Sequence, residues 1–337
     1  MGSELSVYVK RAKILLFIAV LFCVIIFICK TDFQSVKHAL AKIGFKFFYL
    51  FVITYLAYFF GTWSWHVTLK KNRSKISILQ LFSIRQVGET VGQYNPTSII
   101  GGDLLKAQML ARYHIDQQSA IESVATARIT AVLSQILIFL IACIYLLYYN
   151  SSFINSWYGY LFCLLFVLLI LLKVYFFIWI SKKKDQSNLP NEPIKPNLLQ
   201  TLIKKSKTLL INISHTYQND PQSFWYSYLL AAIHWLIGSL EFYLILIFLG
   251  FDVSVIQGVL LDMSVIVFKS FAAFIPGQLG IEELGNKLML SLVGIHSATA
   301  WITVSILRRA RQILWIGIGF ILYFFIKKDV QHATFKA

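Results

Sequence analysis

The charged residues set inside otherwise apolar stretches carry the chemistry of this sequence. Asp103 precedes Arg128 by the same interval that separates Glu283 from Arg308. In each case a short turn lies midway. Antiparallel helices rising 1.5 Å per residue bring acid and arginine to one depth, roughly 15–18 Å from the turn. Such a pair has two readings. It clamps two helices, so that removing one partner strands a buried charge, or it lines a pathway, as ionisable groups at membrane depth do by default. Arg85 and Glu89 stand i,i+4 on one stripe of the segment entering the first turn. Lys106 follows Asp103 by three, Glu282 neighbours Glu283, and Lys269 stands as far beyond Glu89 as Glu283 does beyond Asp103. Arg308, Arg309 and Arg311 form a dense basic patch, of which only part can face one cavity. Glu241 and Asp262 read as isolated acids, and His66 and His234 as packing histidines.

Proline and glycine accompany the acids. Asn95-Pro96 and Pro276 each interrupt an apolar run, and Gly101, Gly102, Gly277 and Gly280 follow. A half-helix beginning after each proline has N-terminal N–H groups without intrahelical acceptors. With nearby Arg or Lys these would make an anion site suited to phosphate. The same glycines equally allow close helix packing.

The elements holding these groups are membrane helices. The chain has 337 residues, 58% hydrophobic and only 14% charged, which excludes a disordered chain, a coiled coil, a disulfide scaffold and an ordinary soluble enzyme. Spans are expected at 14–29, 47–69, 119–149, 157–180, 223–250 and 297–326, the first an uncleaved span. The stretches 76–113 and 253–293 are apolar but broken by Gly, Pro and charge, and are expected as re-entrant helical hairpins. The predicted fold is an all-α polytopic membrane protein with about six transmembrane helices and two re-entrant hairpins. As one integral-membrane domain it divides into a first span and outer loop (1–46), a first repeat (47–180), a cytoplasmic basic loop (181–222) and a second repeat (223–337). Lys70, Lys71, Arg73 and Lys75, the lysines of 181–207, and Lys327 and Lys328 put both termini and these loops on the cytoplasmic side. The lysines of 30–46 dissent. The 181–222 loop reads either as a basic amphipathic helix on the inner leaflet or as a solvated linker. The four cysteines lie in apolar runs without CxxC, which reads as buried hydrophobes. No metal site or cofactor is expected. A net charge of +16 points to anionic headgroups, not nucleic acid.

The two broken stretches are related. YNPTSIIGGDLLKAQML from Tyr94 aligns with FIPGQLGIEELGNKLML from Phe274. Pro96 and Pro276, Asp103 and Glu283, Met109 and Met289, and Arg128 and Arg308 are all separated by one constant offset, with no gap. Loop charges give the flanking helices opposite directions, so the expected plan is an inverted-topology internal repeat. In secondary transporters such interrupted helices meet at the substrate site.

These motifs, each with a Pro, a Gly run, an acid and a later Arg, resemble the flippase-like transmembrane domain of bacterial lysylphosphatidylglycerol synthases, over roughly 10–330. The resemblance implies movement of a lipid or lipid-linked substrate between leaflets of the bacterial inner membrane. Members with synthase activity carry a C-terminal soluble aminoacyl-transfer domain, and this chain ends shortly after its last expected span, so that activity is expected to be absent. The expected function is a flippase for an anionic or polyprenyl-phosphate-linked lipid. Arg128, Arg308, Lys106 and Lys269, with Asn95 and the four glycines, would hold the headgroup. Asp103, Glu283, Glu282, Arg85 and Glu89 would balance or couple charge. The alternatives are a glycosyltransferase or lipid-head transferase, for which no DxD, HEXXH, GxSxG or P-loop is present, and a scaffold for a cell-envelope synthase docked through 181–222.

Overall fold

A computed structural model describes residues 33–94, 98–149, 157–182, 211, 213–214, 217–271 and 280–334. The expected span 14–29, most of the 181–222 loop, and Asn95, Pro96, Pro276 and Gly277 lie outside these residues.

The described chain is helical: α1 (Phe33–Ile43), α2 (Phe47–Thr68), α3 (Ile78–Tyr94), α4 (Ser98–Leu110), α5 (Gln117–Tyr149), α6 (Trp157–Ser181), α7 (Pro221–Phe248), α8 (Val255–Phe271), α9 (Ile281–Leu292) and α10 (Ala298–Thr334). Among the described residues five helical segments are long and apolar enough to cross a membrane: Lys37–Thr68, Gln117–Tyr148, Cys163–Ser181, Pro221–Phe248 and Ala298–Ile326. The protein is an all-α polytopic membrane protein. By contrast α3 and α8 have 17 residues each, and α4 and α9 have 13 and 12. At 1.5 Å per residue the longest of these reaches about 25 Å, short of a hydrocarbon core of roughly 30 Å.

Local signals set the helix starts. Ser77 and Gln80 form a reciprocal cap at α3: the Ser77 N–H donates to Gln80 Oε1 at 2.9 Å, and the Gln80 N–H donates to Ser77 Oγ at 3.3 Å. Ser254 and Gln257 repeat it at α8, at 2.8 and 3.4 Å. Asp116 caps α5 by accepting the Ser119 N–H at 2.8 Å, and that bond holds its carboxyl below the ordinary aspartate range.

The helices of 47–149 recur in order over 221–334. Two left-handed turns recur as well, at the same offset as the sequence motifs. Lys70 (φ 51°) corresponds to Gly250 (φ 87°), and His114 (φ 54°) corresponds to Gly294 (φ 84°). The left-handed conformation costs a residue with a Cβ roughly 1–2 kcal/mol. His114→Gly is therefore expected to raise the unfolding midpoint in detergent by an amount equivalent to about 1 kcal/mol. A lower midpoint would show that the His114 side chain, not its backbone, holds the turn.

α2 and α7, the first helices of the two sets, form the central contact and run antiparallel. The Ser64 hydroxyl donates to the Ser227 carbonyl at 2.8 Å, His234 Nδ1 lies 2.6 Å from the Ala57 carbonyl, and Leu50 shares a cluster with Phe242, Ile245 and Leu246. Around this axis α3 packs on α10 and α8 packs on α5, so each short hairpin leans on the long helix of the other set. α6 packs on α5 and, through Phe177 on Trp225 and Lys173 on Tyr228, on α7, and its Leu164, Leu171 and Tyr175 are exposed, as a lipid-facing helix requires.

Candidate functional site

Between the two hairpins and the α2–α7 axis lies a polar cavity of about 360 Å³. Arg85, Lys106, Arg128, Lys269, Arg308 and Arg311 line it, together with Glu89, Asp103, Glu241 and Asp262. Such a density of charge in a membrane interior is costly unless paired, and two clusters and one further ion pair hold most of it.

The first cluster belongs to α3, α4 and α5. Arg128 grips Asp103 in a fork, Nε to Oδ2 at 2.9 Å and Nη2 to Oδ1 at 2.7 Å. This is the pairing expected from the spacing. Lys106 Nζ bridges Glu89 at 2.5 Å and Asp103 at 3.0 Å, and Arg128 Nη2 reaches Glu89 at 3.5 Å. The Lys106 side chain is buried at 6% exposure, whereas Arg128 and Glu89 are 35% and 37% exposed. Lys106 therefore organises the two acids, and Arg128 and Glu89 present to the cavity.

The close approach of α3 and α4 depends on glycine. A Cβ on Gly102 would lie 2.4 Å from the Gly88 carbonyl oxygen and 3.0 Å from Gly92 Cα. Gly102 thus serves packing, the second of its two expected roles.

The second cluster departs from expectation. Arg308 pairs with Glu282 at 2.9 Å and Asp262 at 2.7 Å, not with Glu283. The cause is the start of α9. Gly280 takes φ 84°, and Glu283 folds back so that its Oε2 accepts the Gly280 N–H at 2.9 Å. Glu283 also pairs with Arg309. One position earlier on the helix, Glu282 points inward and also holds Lys269 at 3.1 Å. The carboxylates of Glu282 and Glu283 occupy the first turn of α9, where they complement its N-terminal dipole. Arg308, Glu282 and Asp262 are only 5–7% exposed, and their ion pairs tie α8, α9 and α10 together.

Glu241 and Asp262 are not isolated. Glu241 lies 2.6 Å from Arg311, and Asp262 holds Arg308. Arg311 also donates to the Tyr58 hydroxyl at 3.0 Å, tying α10 to α2. Arg85 does not pair with Glu89. It donates to the Tyr58 carbonyl at 3.3 Å and stacks over the Tyr58 ring at 5.1 Å. The enzyme alternative is expected to lack an H-x4-D base–acid spacing, but the sequence carries one at His215 and Asp220. Asp220 caps α7 through the Ser223 N–H at 3.1 Å and the Ser223 hydroxyl at 2.7 Å, and His215 lies outside the described residues. Among the described residues no group of three His, Cys, Asp or Glu is placed to hold a metal ion.

The fold and cavity define a class: a polytopic α-helical membrane protein with a charged chamber between two helical hairpins. The family model for the lysylphosphatidylglycerol synthase TM region matches residues 12–319, and the chain belongs to that family. Its setting is therefore membrane and lipid-related. No curated protein and no solved structure matches the chain.

Proposed function

We propose that the protein moves an anionic or polyprenyl-phosphate-linked lipid between leaflets of a bacterial cytoplasmic membrane, with both termini cytoplasmic. The carrying observation is the half-exposed Arg128–Glu89 face of the first cluster, opening on a polar cavity inside an apolar helical shell. A phosphate entering there would compete with Asp103 and Glu89 for Arg128, while Lys106 stays bridged between the two acids. The lipid tails would stay in the bilayer. We further read the two helix sets as an inverted duplication. The antiparallel α2–α7 axis, the recurring left-handed turns and the constant offset between the motifs support this. The family resemblance supports the lipid substrate, and the lysine and arginine distribution supports the orientation.

Purified protein in proteoliposomes is expected to exchange fluorescent phosphatidylglycerol or a polyprenyl phosphate faster than empty vesicles. No exchange above empty vesicles across both lipid classes sinks the reading. A charge swap refines it. Asp103→Arg with Arg128→Asp is expected to regain the folding lost in the Asp103→Arg single variant while leaving exchange at background, because the cation would no longer face the cavity from α5. Full recovery of exchange would make the pair a structural clamp only.

A further inference from the structure

The seams of the molecule are unequal. α5 and α7 pack closely, with the Ser227 hydroxyl 2.8 Å from the Thr130 hydroxyl and Trp235 Nε1 donating to the Ala131 carbonyl at 2.8 Å. Their counterparts under the repeat, α10 and α2, stand farther apart at the backbone. Long side chains close that seam. Trp315 stacks on Phe51 at 4.9 Å, meets Tyr58 edge-on at 4.9 Å, and donates its indole N–H to the Thr54 hydroxyl at 3.1 Å. Outside this aromatic wall lies an apolar groove of about 680 Å³, lined by Phe45, Phe48 and Phe51 of the α2 end and by Leu314, Gly317 and Ile321 of α10. Inside the wall lies the charged cavity, which Trp315 also lines. At the groove's end of α2, the helix α1 buries Ala39 and Ile43 and exposes Lys37 and Lys42, with Lys46 exposed just before α2. These are the lysines that dissent from the charge rule.

We propose that this groove binds one acyl chain of an anionic phospholipid, whose headgroup lies among Lys42 and Lys46 and reaches the cavity past Trp315. The inference rests on the transport reading and names its entrance. Three observations favour this occupant over ordinary lipid contact: a seam closed by side chains, lysines in the segment that flanks the groove at residues 44–48, and a charged chamber behind one aromatic wall. α6 also carries Lys173, with Lys182 just past its end, and an aromatic seam on α7, but none of its described residues lines the charged chamber. The groove's volume falls within the roughly 300–1,000 Å³ of small-molecule sites.

The full chain in nanodiscs would be photolabelled with phosphatidylglycerol or phosphatidylcholine carrying a diazirine on one acyl chain, and labels mapped by peptide mass spectrometry. Labelling is expected to concentrate at residues 44–51 and 313–321 and to favour phosphatidylglycerol. Replacing Lys42 and Lys46 by Gln should cut that preference roughly five-fold per lysine, the factor for about 1 kcal/mol at a membrane surface. Gly317→Phe adds bulk where no atom of the described residues lies within 4 Å of a Cβ. It should remove groove labelling and leave background labelling of α6 intact, which reports an unchanged fold. Equal labelling of groove and α6 in the unaltered protein, no preference between the two lipids, or groove labelling that survives Gly317→Phe each overturns the proposal. Parallel exchange assays separate the two claims: labelling without exchange removes transport and keeps the groove, and exchange with even labelling does the reverse.

Discussion

Arg308→Ala is expected to destabilise the fold by about 3–5 kcal/mol, whereas Arg128→Ala leaves it folded and without lipid exchange. Both arginines hold two acids, but what remains after removal differs. Without Arg308, Glu282 keeps Lys269 at 3.1 Å, while Asp262, 7% exposed, has no other ion-pair partner among the described residues. An uncompensated buried charge costs about 3–5 kcal/mol, a large part of the roughly 5–15 kcal/mol that holds a typical domain. The guanidinium also sits 5.0 Å from the Phe242 ring centre, so its loss opens the core beside α7. Without Arg128, both Asp103 and Glu89 keep Lys106, at 3.0 and 2.5 Å, and the vacated side faces the cavity. Size-exclusion chromatography and thermal unfolding in detergent read the first effect, and proteoliposome exchange reads the second. Equal destabilisation by both substitutions would mean that both clusters are clamps and that the cavity charge has no substrate role.

Gly102→Ala is the second large effect. The new methyl would meet the Gly88 carbonyl oxygen at 2.4 Å, a backbone atom that cannot swing aside. Overpacking of this kind costs about 1–3 kcal/mol and occasionally more, and here separation of α3 from α4 also draws Lys106 away from Glu89. Gly88→Ala offers the comparison. Its methyl meets Lys106 Cγ at 2.4 Å and Cε at 2.7 Å, side-chain atoms that can shift with the ammonium, and the Gly102 carbonyl oxygen only at 3.1 Å. Unfolding midpoints should therefore fall about 3 kcal/mol for Gly102→Ala and much less for Gly88→Ala, with the latter losing exchange through a displaced Lys106. The reverse order would show that the hairpin is held by Lys106 and not by backbone contact.

How far the sequence reveals this site depends on which contacts are local. Asp103 and Arg128 are legible because a single short turn separates their helices, and rise per residue alone sets their depth. The same argument misplaced the second pair by one position. Depth does not fix direction, and adjacent helix positions point about 100° apart. Glu283 is drawn to the Gly280 N–H, an interaction that depends on a left-handed glycine no spacing announces. Glu241 with Arg311, and Asp262 with Arg308, lie on helices far apart in the chain, so nothing in composition couples them. The long spans are legible as apolar runs, and the broken stretches as exceptions to them. The shared turns at Lys70 and Gly250, and at His114 and Gly294, are hidden because the backbone is alike while the residue types differ.

The peripheral helix α6 makes few contacts, yet the arithmetic of crossings depends on it. Under the proposed topology, α2 and α5 each cross once and the hairpin between them returns to its own side. The first set therefore ends on the face where it began. A second copy joined directly would insert in the same sense as the first. One additional crossing changes even to odd and turns the copy over. α6 would thus act as a parity element, selected for spanning the bilayer and little for its side-chain identities. Its lipid-facing positions should tolerate exchange among apolar residues that the clustered helices would reject.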